Sequence, residues 1–277
     1  MISFVMILWG MSFLSIKVTV FVLSPMGLAL TRFVIASVIL IVLLKILEPG
    51  AKLAKNDILR MAVSGIVGIT IYFFFENNGV KYTTASTASI IIAAIPALTV
   101  ISDFIFFGNR LTLAKIAGVL LSFFGVYLIV RDSGHLSFAS EYFKGNLFMM
   151  GAACAWVVYS LVTRPLAERY SKLAITAYQT VFGTLAILPF AFMENNKWSL
   201  VDGKILMNIV FLGVFCSALG YYIYVYSLDK LGVDVVSLFI NFIPVVTVIS
   251  SYFILGEKNN SRPGPGGNNH HYCRILT

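Results

Sequence analysis

Apolar residues along this chain do not alternate with polar ones; they fill whole runs. Nine runs are long enough to matter: 2–23, 27–47, 60–79, 85–107, 112–130, 145–163, 173–193, 205–227 and 232–255. A helix crossing a bilayer needs roughly 20 mostly apolar residues, and each run is about that length. Between them the chain turns polar for short stretches only. Pro25 and Gly27 punctuate the first connection, and Pro49-Gly50 with Lys52, Lys55, Asp57 and Arg60 mark the second. The first run has no basic start, unlike a secretory leader, and reads as a retained helix. The pattern predicts an all-α integral membrane protein.

The pattern also repeats. IPALTVISDFIFFGN at 95–109 returns as IPVVTVISSYFILGE at 243–257. At an offset of 148, Ile95, Pro96, Thr99, Val100, Ile101, Ser102 and Gly108 fall on Ile243, Pro244, Thr247, Val248, Ile249, Ser250 and Gly256. Seven ungapped identities in fifteen positions exceed what apolar composition alone supplies. The same offset carries Gly65 onto Gly213 and Ser89 onto Ser237, and 147 carries Trp9 onto Trp156 and Lys17 onto Arg164. Such a period sets the architecture before any local reading does. The expected units are 1–131, a first five-helix repeat, and 145–258, a second repeat holding helices six to nine. Five is odd, so like segments must enter the membrane from opposite sides, giving an inverted repeat.

Charge agrees with that topology. With the N-terminus in the cytoplasm, cytoplasmic connections hold ten basic residues and outer ones six, the bias of the positive-inside rule. Equivalent loops differ in the required sense: the connection with Arg164, Arg169 and Lys172 is basic, while its twin near Pro25 has no basic residue. Of 277 residues, 59% are hydrophobic and 12% charged, against about 25% charged in soluble domains, and mean hydropathy is +0.90. The net charge of +8 sits between apolar runs rather than in a basic stripe with interleaved aromatics, which argues against a nucleic-acid partner. Cys154 and Cys216 lie in apolar runs and read as small buried packing residues. The histidines are His135, His270 and His271, with no metal-ligand spacing in the body of the chain. No metal, cofactor or catalytic constellation is expected: there is no HExxH, nucleophile elbow or phosphate loop.

One stretch breaks the repeat. A tenth helix is due from about 260 to match LTLAKIAGVLLSFFGVYLIV at 111–130, but the chain reads NNSRPGPGGNNHHYCRILT from Asn259. Pro, Gly, Asn and His in that density do not span a bilayer. Codons for Asn, His and Tyr share the form xAY, so a shift of one nucleotide turns 268–272 into five Ile or Thr codons. The expectation is ten helices with nine present, the tenth lost to a frameshift that leaves 259–277 as an aberrant tail; a natural disordered tail is the alternative.

Ionisable residues inside the bilayer are functional suspects by default. Lys17 lies deep in the first run and either snorkels or touches solute. Arg32 pairs with a solute or internal carboxylate, or snorkels. Glu76, flanked by Asn78 and by Asn77, itself a candidate cavity residue, is the candidate for a proton, for proton or ion coupling, or for a cationic solute group; an internal ion pair or an interfacial position is the alternative. Asp103 lies nearer a membrane face and reads as structural. The symmetry-related Trp9 and Trp156, with Tyr159, Tyr221, Tyr222 and Tyr224, are candidate cavity aromatics, and Asn241 a candidate lining residue. Pro96 and Pro244 are a matched pair of helix breaks, the best sequence pointer to a transport site.

ILWGMSFLSIK at 7–17, TRFVIAS at 31–37, GVKYTTASTASII at 79–91 and IP…GE at 243–257 together resemble the EamA-type transporters of the drug/metabolite transporter superfamily, over 1–258. The resemblance implies ten helices, cytoplasmic termini, a central cavity between the halves and alternating access by rocking. It leaves the solute open. Asn109 departs from the family, standing where Glu often follows Gly, and the tail departs throughout. The expected function is a secondary transporter moving a small organic metabolite or amino acid across the cytoplasmic membrane, a multi-pass protein with a small-molecule solute and the lipid bilayer as its partners. The alternatives are a membrane-embedded enzyme acting on a lipid-linked substrate, or an inactive frameshifted product. Resequencing source DNA across codons 250–277 should find one nucleotide gained or lost; an unchanged reading removes the frameshift.

Overall fold

A bilayer offers backbone groups no water, so a chain of this composition can cross only as hydrogen-bonded helix. The computed structural model describes residues 1–108 and 140–256, with Leu113, 116–120 and Phe124. Its helices are α1 (Ile2–Thr19), α2 (Pro25–Leu47), α3 (Lys55–Tyr82), α4 (Ala85–Ile92), α5 (Ile95–Phe107), α6 (Glu141–Ala167), α7 (Lys172–Met193), α8 (Gly203–Phe239) and α9 (Phe242–Ile254). Among the described residues, seven helices or joined helices are long and apolar enough to span, and α9 is a shorter apolar one. Eight of the nine apolar runs therefore fall on described helices. Most of the fifth run at 112–130, Asn109 and the tail 259–277, where the frameshift is expected, lie outside the described residues.

Short polar side chains set the helix starts. Ser24, Thr84, Ser140, Ser171 and Asp202 each accept a hydrogen bond from a backbone N–H in the first turn of the helix they precede, which satisfies donors that the helix leaves orphaned. Pro25 follows Ser24 at the first helical position, where a missing N–H costs nothing.

Two features refine the run boundaries. The run at 85–107 is broken at Ala93–Ala94, where α4 ends and α5 begins. The run at 232–255 is broken at Ile240–Asn241, and its join to the preceding run is a kink at Gly232, with φ 80° and ψ 163°. That backbone conformation is open to glycine and strained for other residues. Both long helices before these breaks also widen into π segments, Ile66–Ile71 in α3 and Phe211–Leu219 in α8. The offset of 148 places the first π segment within the second and the Ala93–Ala94 break on 241–242.

The two parts of the chain interleave. α1 packs on α8 and α9, α2 on α7 and the π segment of α8, and α3 on α6 and α7. Along α2 every fourth residue shows the two-faced logic: Arg32, Ala36, Leu40 and Leu44 are buried, while Val34, Val38, Val42 and Ile46 are 44–68% exposed. A helix apolar all round buries small and polar positions against protein and leaves branched aliphatics for lipid. Arg32 thus faces inward and does not snorkel. Cys216 is buried as expected, but Cys154 is exposed on the outer side of α6, so its role is not core packing.

Polar ties close both ends of the bundle. At one end, Arg169 Nη1 and Tyr170 OH donate to the two oxygens of Asp57, at 3.1 and 2.8 Å, and Ser171 Oγ donates to Glu48. At the other, Asn196 Oδ1 accepts from Ser24 N and Oγ at 2.9 and 2.7 Å, and Glu194 Oε2 accepts from Met26 N at 2.8 Å.

α3 and α7 touch backbone to backbone at Gly65. A Cβ there would lie 2.3 Å from the Gln179 carbonyl oxygen, whereas one at Gly203 meets nothing within 4 Å. Gly65→Ala should therefore destabilise the protein by about 1–3 kcal/mol and lower its thermal midpoint in detergent. Gly203→Ala should leave the midpoint unchanged; equal midpoints for both variants would refute the close approach.

Candidate functional site

The helix breaks and π segments converge on a narrow cavity of about 30 Å³. It is lined from both parts of the chain: Trp9, Ser12 and Phe13 of α1, Arg32 of α2, Tyr72, Phe73 and Glu76 of α3, Ile92 and Ile95 at the first break, Trp156 of α6, Tyr221 of α8, and Ile240 and Ile243 at the second break.

Its aromatic wall is held by carbonyls of the π segments. Trp9 Nε1 donates to Cys216 O at 3.0 Å, and Tyr221 OH donates to Gly68 O at 2.9 Å. A π segment shifts the helical hydrogen-bond register, which suits it to functional sites. Trp9 and Trp156 meet edge to face at 5.2 Å, and Tyr72 stands 4.9 Å from Trp156, contacts worth roughly 0.5–1.5 kcal/mol each beyond burial. Trp156 Nε1 donates to Tyr224 OH at 2.9 Å, which also bonds Ser160 Oγ at 2.8 Å. The indole that faces the cavity is therefore fixed from behind.

Two charged side chains enter this wall. Arg32 is 2% exposed; its Nε donates to Ser217 Oγ at 2.9 Å, and its guanidinium carbon lies 4.4 Å from the Phe73 ring centre. Glu76 is 4% exposed, and its Oε1 accepts from Tyr72 OH at 2.7 Å. Arg32 Nη1 and Glu76 Oε2 have no hydrogen-bond partner, and no ion pair within 4.0 Å joins the two groups. An unpartnered charge in a dry interior is costly, so this arrangement asks for something polar between them.

Of the residues singled out in the sequence, Trp9, Arg32, Glu76, Trp156 and Tyr221 line the cavity. The others do not. Lys17 is turned to the end of α3, where its ammonium donates to the carbonyls of Val80 and Thr83, so it caps a helix. Asn77 follows Glu76 by about 100° around the helix and donates to Pro25 O at 2.7 Å. Tyr159 is fully buried behind Trp156, its OH bonded to Gln179 Oε1. Tyr222 is half-buried and Asn241 exposed, since Tyr221, Ile240 and Ile243 occupy the cavity-facing positions. Pro96 and Pro244 do not themselves line the cavity, but Ile95 and Ile243 just before them do. Tyr72, Phe73, Ser12, Phe13 and the four isoleucines escaped the sequence reading. The repeat offset could have found several: it pairs Phe73 with Tyr221, Ile92 with Ile240 and Ile95 with Ile243.

Comparison with known proteins points to membrane transporters. An "Uncharacterized transporter" from Archaeoglobus fulgidus is 30% identical over 259 residues, covering 93% of this chain and 90% of the relative. A "Probable terminal-alkyne amino-acid exporter" from Streptantibioticus cattleyicolor is 29% identical over 252 residues, covering 90% and 82%. A solved crystal structure at 24% identity shares the fold, with a TM-score of 0.69 over 99% of this chain and 92% of that one. The model of the EamA-like transporter family matches residues 1–131 and again 143–262. Multi-pass, all-helical and akin to transporters over nearly its whole length, the chain belongs to the EamA-like transporter family.

Proposed function

We propose that this membrane transporter is a secondary transporter, moving a small organic metabolite or amino acid across the cytoplasmic membrane by alternating access. The observation that carries this reading is the cavity built by both parts of the chain at their matched helix breaks. Residues 1–131 and 145–258 act as inverted halves with the N-terminus in the cytoplasm. The chain path supports inversion: Lys17 near the end of α1 reaches Thr83, whose Oγ1 bonds Asn146 near the start of α6. The end of α1 thus lies beside the start of α6, the helix that carries its repeat mate Trp156. The polar ties at the two ends act as gates. Rocking opens the Asp57–Arg169 end while the Ser24–Asn196 end stays shut, and then the reverse. The amino-acid exporter among the relatives favours that solute class.

Glu76 is the residue proposed to couple transport to a proton. The titratable and charged groups facing it are Tyr72 on its own helix, Arg32 from α2, and Tyr221 and Cys216 from α8. Vesicles containing the full chain should accumulate, chemically unchanged, at least one solute from a mixture of amino acids and small organic acids and amines. Absence of accumulation from that mixture, or chemical conversion of the solute, would refute the transporter reading. With a transported solute in hand, Glu76→Gln should flatten the pH dependence of its uptake; an unaltered pH profile would remove Glu76 from coupling.

A further inference from the structure

The cavity wall is nearly symmetric under the repeat, and its charges are not. Trp9 and Trp156, Phe73 and Tyr221, Ile92 and Ile240, and Ile95 and Ile243 are mates at the offset of 147 or 148, and all eight line the cavity. Arg32 has Gln179 or Thr180 as its mate and Glu76 has Tyr224, all uncharged. Repetition of the fold accounts for the apolar wall but not for two opposite charges set into one side of it.

Internal pairing does not account for them either. Arg32 spends Nε on Ser217 and its π-face on Phe73, leaving Nη1. Glu76 spends Oε1 on Tyr72, leaving Oε2. The two do not close on each other within 4.0 Å, although both line the same cavity. A pair kept for stability alone would make its contact and satisfy its remaining atoms. Here each side chain is anchored by one atom and leaves another buried and unpartnered beside the cavity.

We infer that the cavity is a two-charge site for an apolar zwitterion: Arg32 Nη1 takes the solute's carboxylate and Glu76 Oε2 its ammonium. The remaining wall, rich in Trp, Tyr, Phe and Ile, takes an apolar side chain. A solute with both charges satisfies both protein groups at once. A solute with one charge leaves the opposite group buried and unpaired, which is the strongest basis a site has for rejecting an analogue. Specificity here lies in Arg32 and Glu76, and the aromatic wall supplies general affinity.

The inference rests on the transporter reading but is tested by binding, apart from transport. Purified full-length chain in detergent is titrated, with thermal unfolding as readout, against three matched sets: the apolar amino acids from alanine to tryptophan, their amides, and the corresponding acids lacking the amine. Binding to the folded state raises the midpoint. At least one amino acid should reach its half-maximal shift at about tenfold lower concentration than its amide or des-amino partner. Glu76→Gln should bring the des-amino acid to within about threefold of the amino acid and keep discrimination against the amide; Arg32→Gln should do the reverse. Arg32→Lys keeps the cation, so retained binding there separates lost charge from lost fold. The inference is overturned if the wild type ranks either analogue with the amino acid, if both charge-removing variants keep full discrimination, or if no set shifts the midpoint. Vesicle uptake of a solute of another class would then leave the transporter reading standing, whereas absence of all uptake defeats that reading itself.

Discussion

Inside hydrocarbon a peptide group must find its hydrogen-bond partner within the protein, because no water is there to substitute. Every departure from straight helix in this chain therefore has to occur where protein surrounds it. Apart from the kink at Gly232, the departures among the described residues are few and placed together: π segments at Ile66–Ile71 and Phe211–Leu219, and breaks after Ile92 and Phe239. Two π-segment carbonyls, Gly68 O and Cys216 O, are occupied by Tyr221 and Trp9. The irregular backbone and the aromatic wall thus depend on each other. Without the widened turns the rings lose their acceptors, and without the rings these carbonyls lose their partners.

The same constraint decides what a polar side chain does at depth. Lys17 and Arg32 are both cations in apolar helices, yet their fates differ. Lys17 lies near the end of α1, within reach of the carbonyls that α3 leaves free at its last turn, and it satisfies them. Arg32 sits a third of the way along α2, where a neighbouring helix interior offers only Ser217 and the face of Phe73. A lysine at a helix end has a structural sink; an arginine mid-bundle does not, and Arg32 Nη1 is left unpartnered in a residue that lines the cavity.

Much of this was legible from sequence, and the reasons are physical. Span lengths follow from membrane thickness, so eight runs landed on helices. Pro96 and Pro244 located the breaks, because proline cannot donate and the chain yields just before it. The site was only half legible. Glu76 and Asn77 are adjacent in sequence and equally polar, but helical geometry sends one to the cavity and the other to Pro25 O. Tyr221 and Tyr222 part in the same way. Polarity marks the depth of a residue, whereas its side of the helix is set by which neighbour packs there. Tyr72 and Phe73 carry no distinguishing signal among so many aromatics; they directly follow the π segment and line the cavity.

On the reading proposed above, asymmetry of charge has a mechanical consequence. Arg32 and Glu76 both belong to the first part of the chain, on α2 and α3, while the second part offers Trp156, Tyr221, Ile240 and Ile243. A zwitterion held by both charges stays with one half as the halves rock. The solute contacts that must slide are those to aromatic and aliphatic surface, which have no strict direction and cost little to shift; within the protein, the Arg32 Nε–Ser217 Oγ bond also crosses between the two parts. Had the two charges been split between halves, each rocking cycle would have pulled an ion pair apart in a low-dielectric interior, against a Coulomb attraction much stronger than in water. Placing both on one half keeps recognition fixed while the wall moves, so a tightly specified solute does not impose a tall barrier to its own passage.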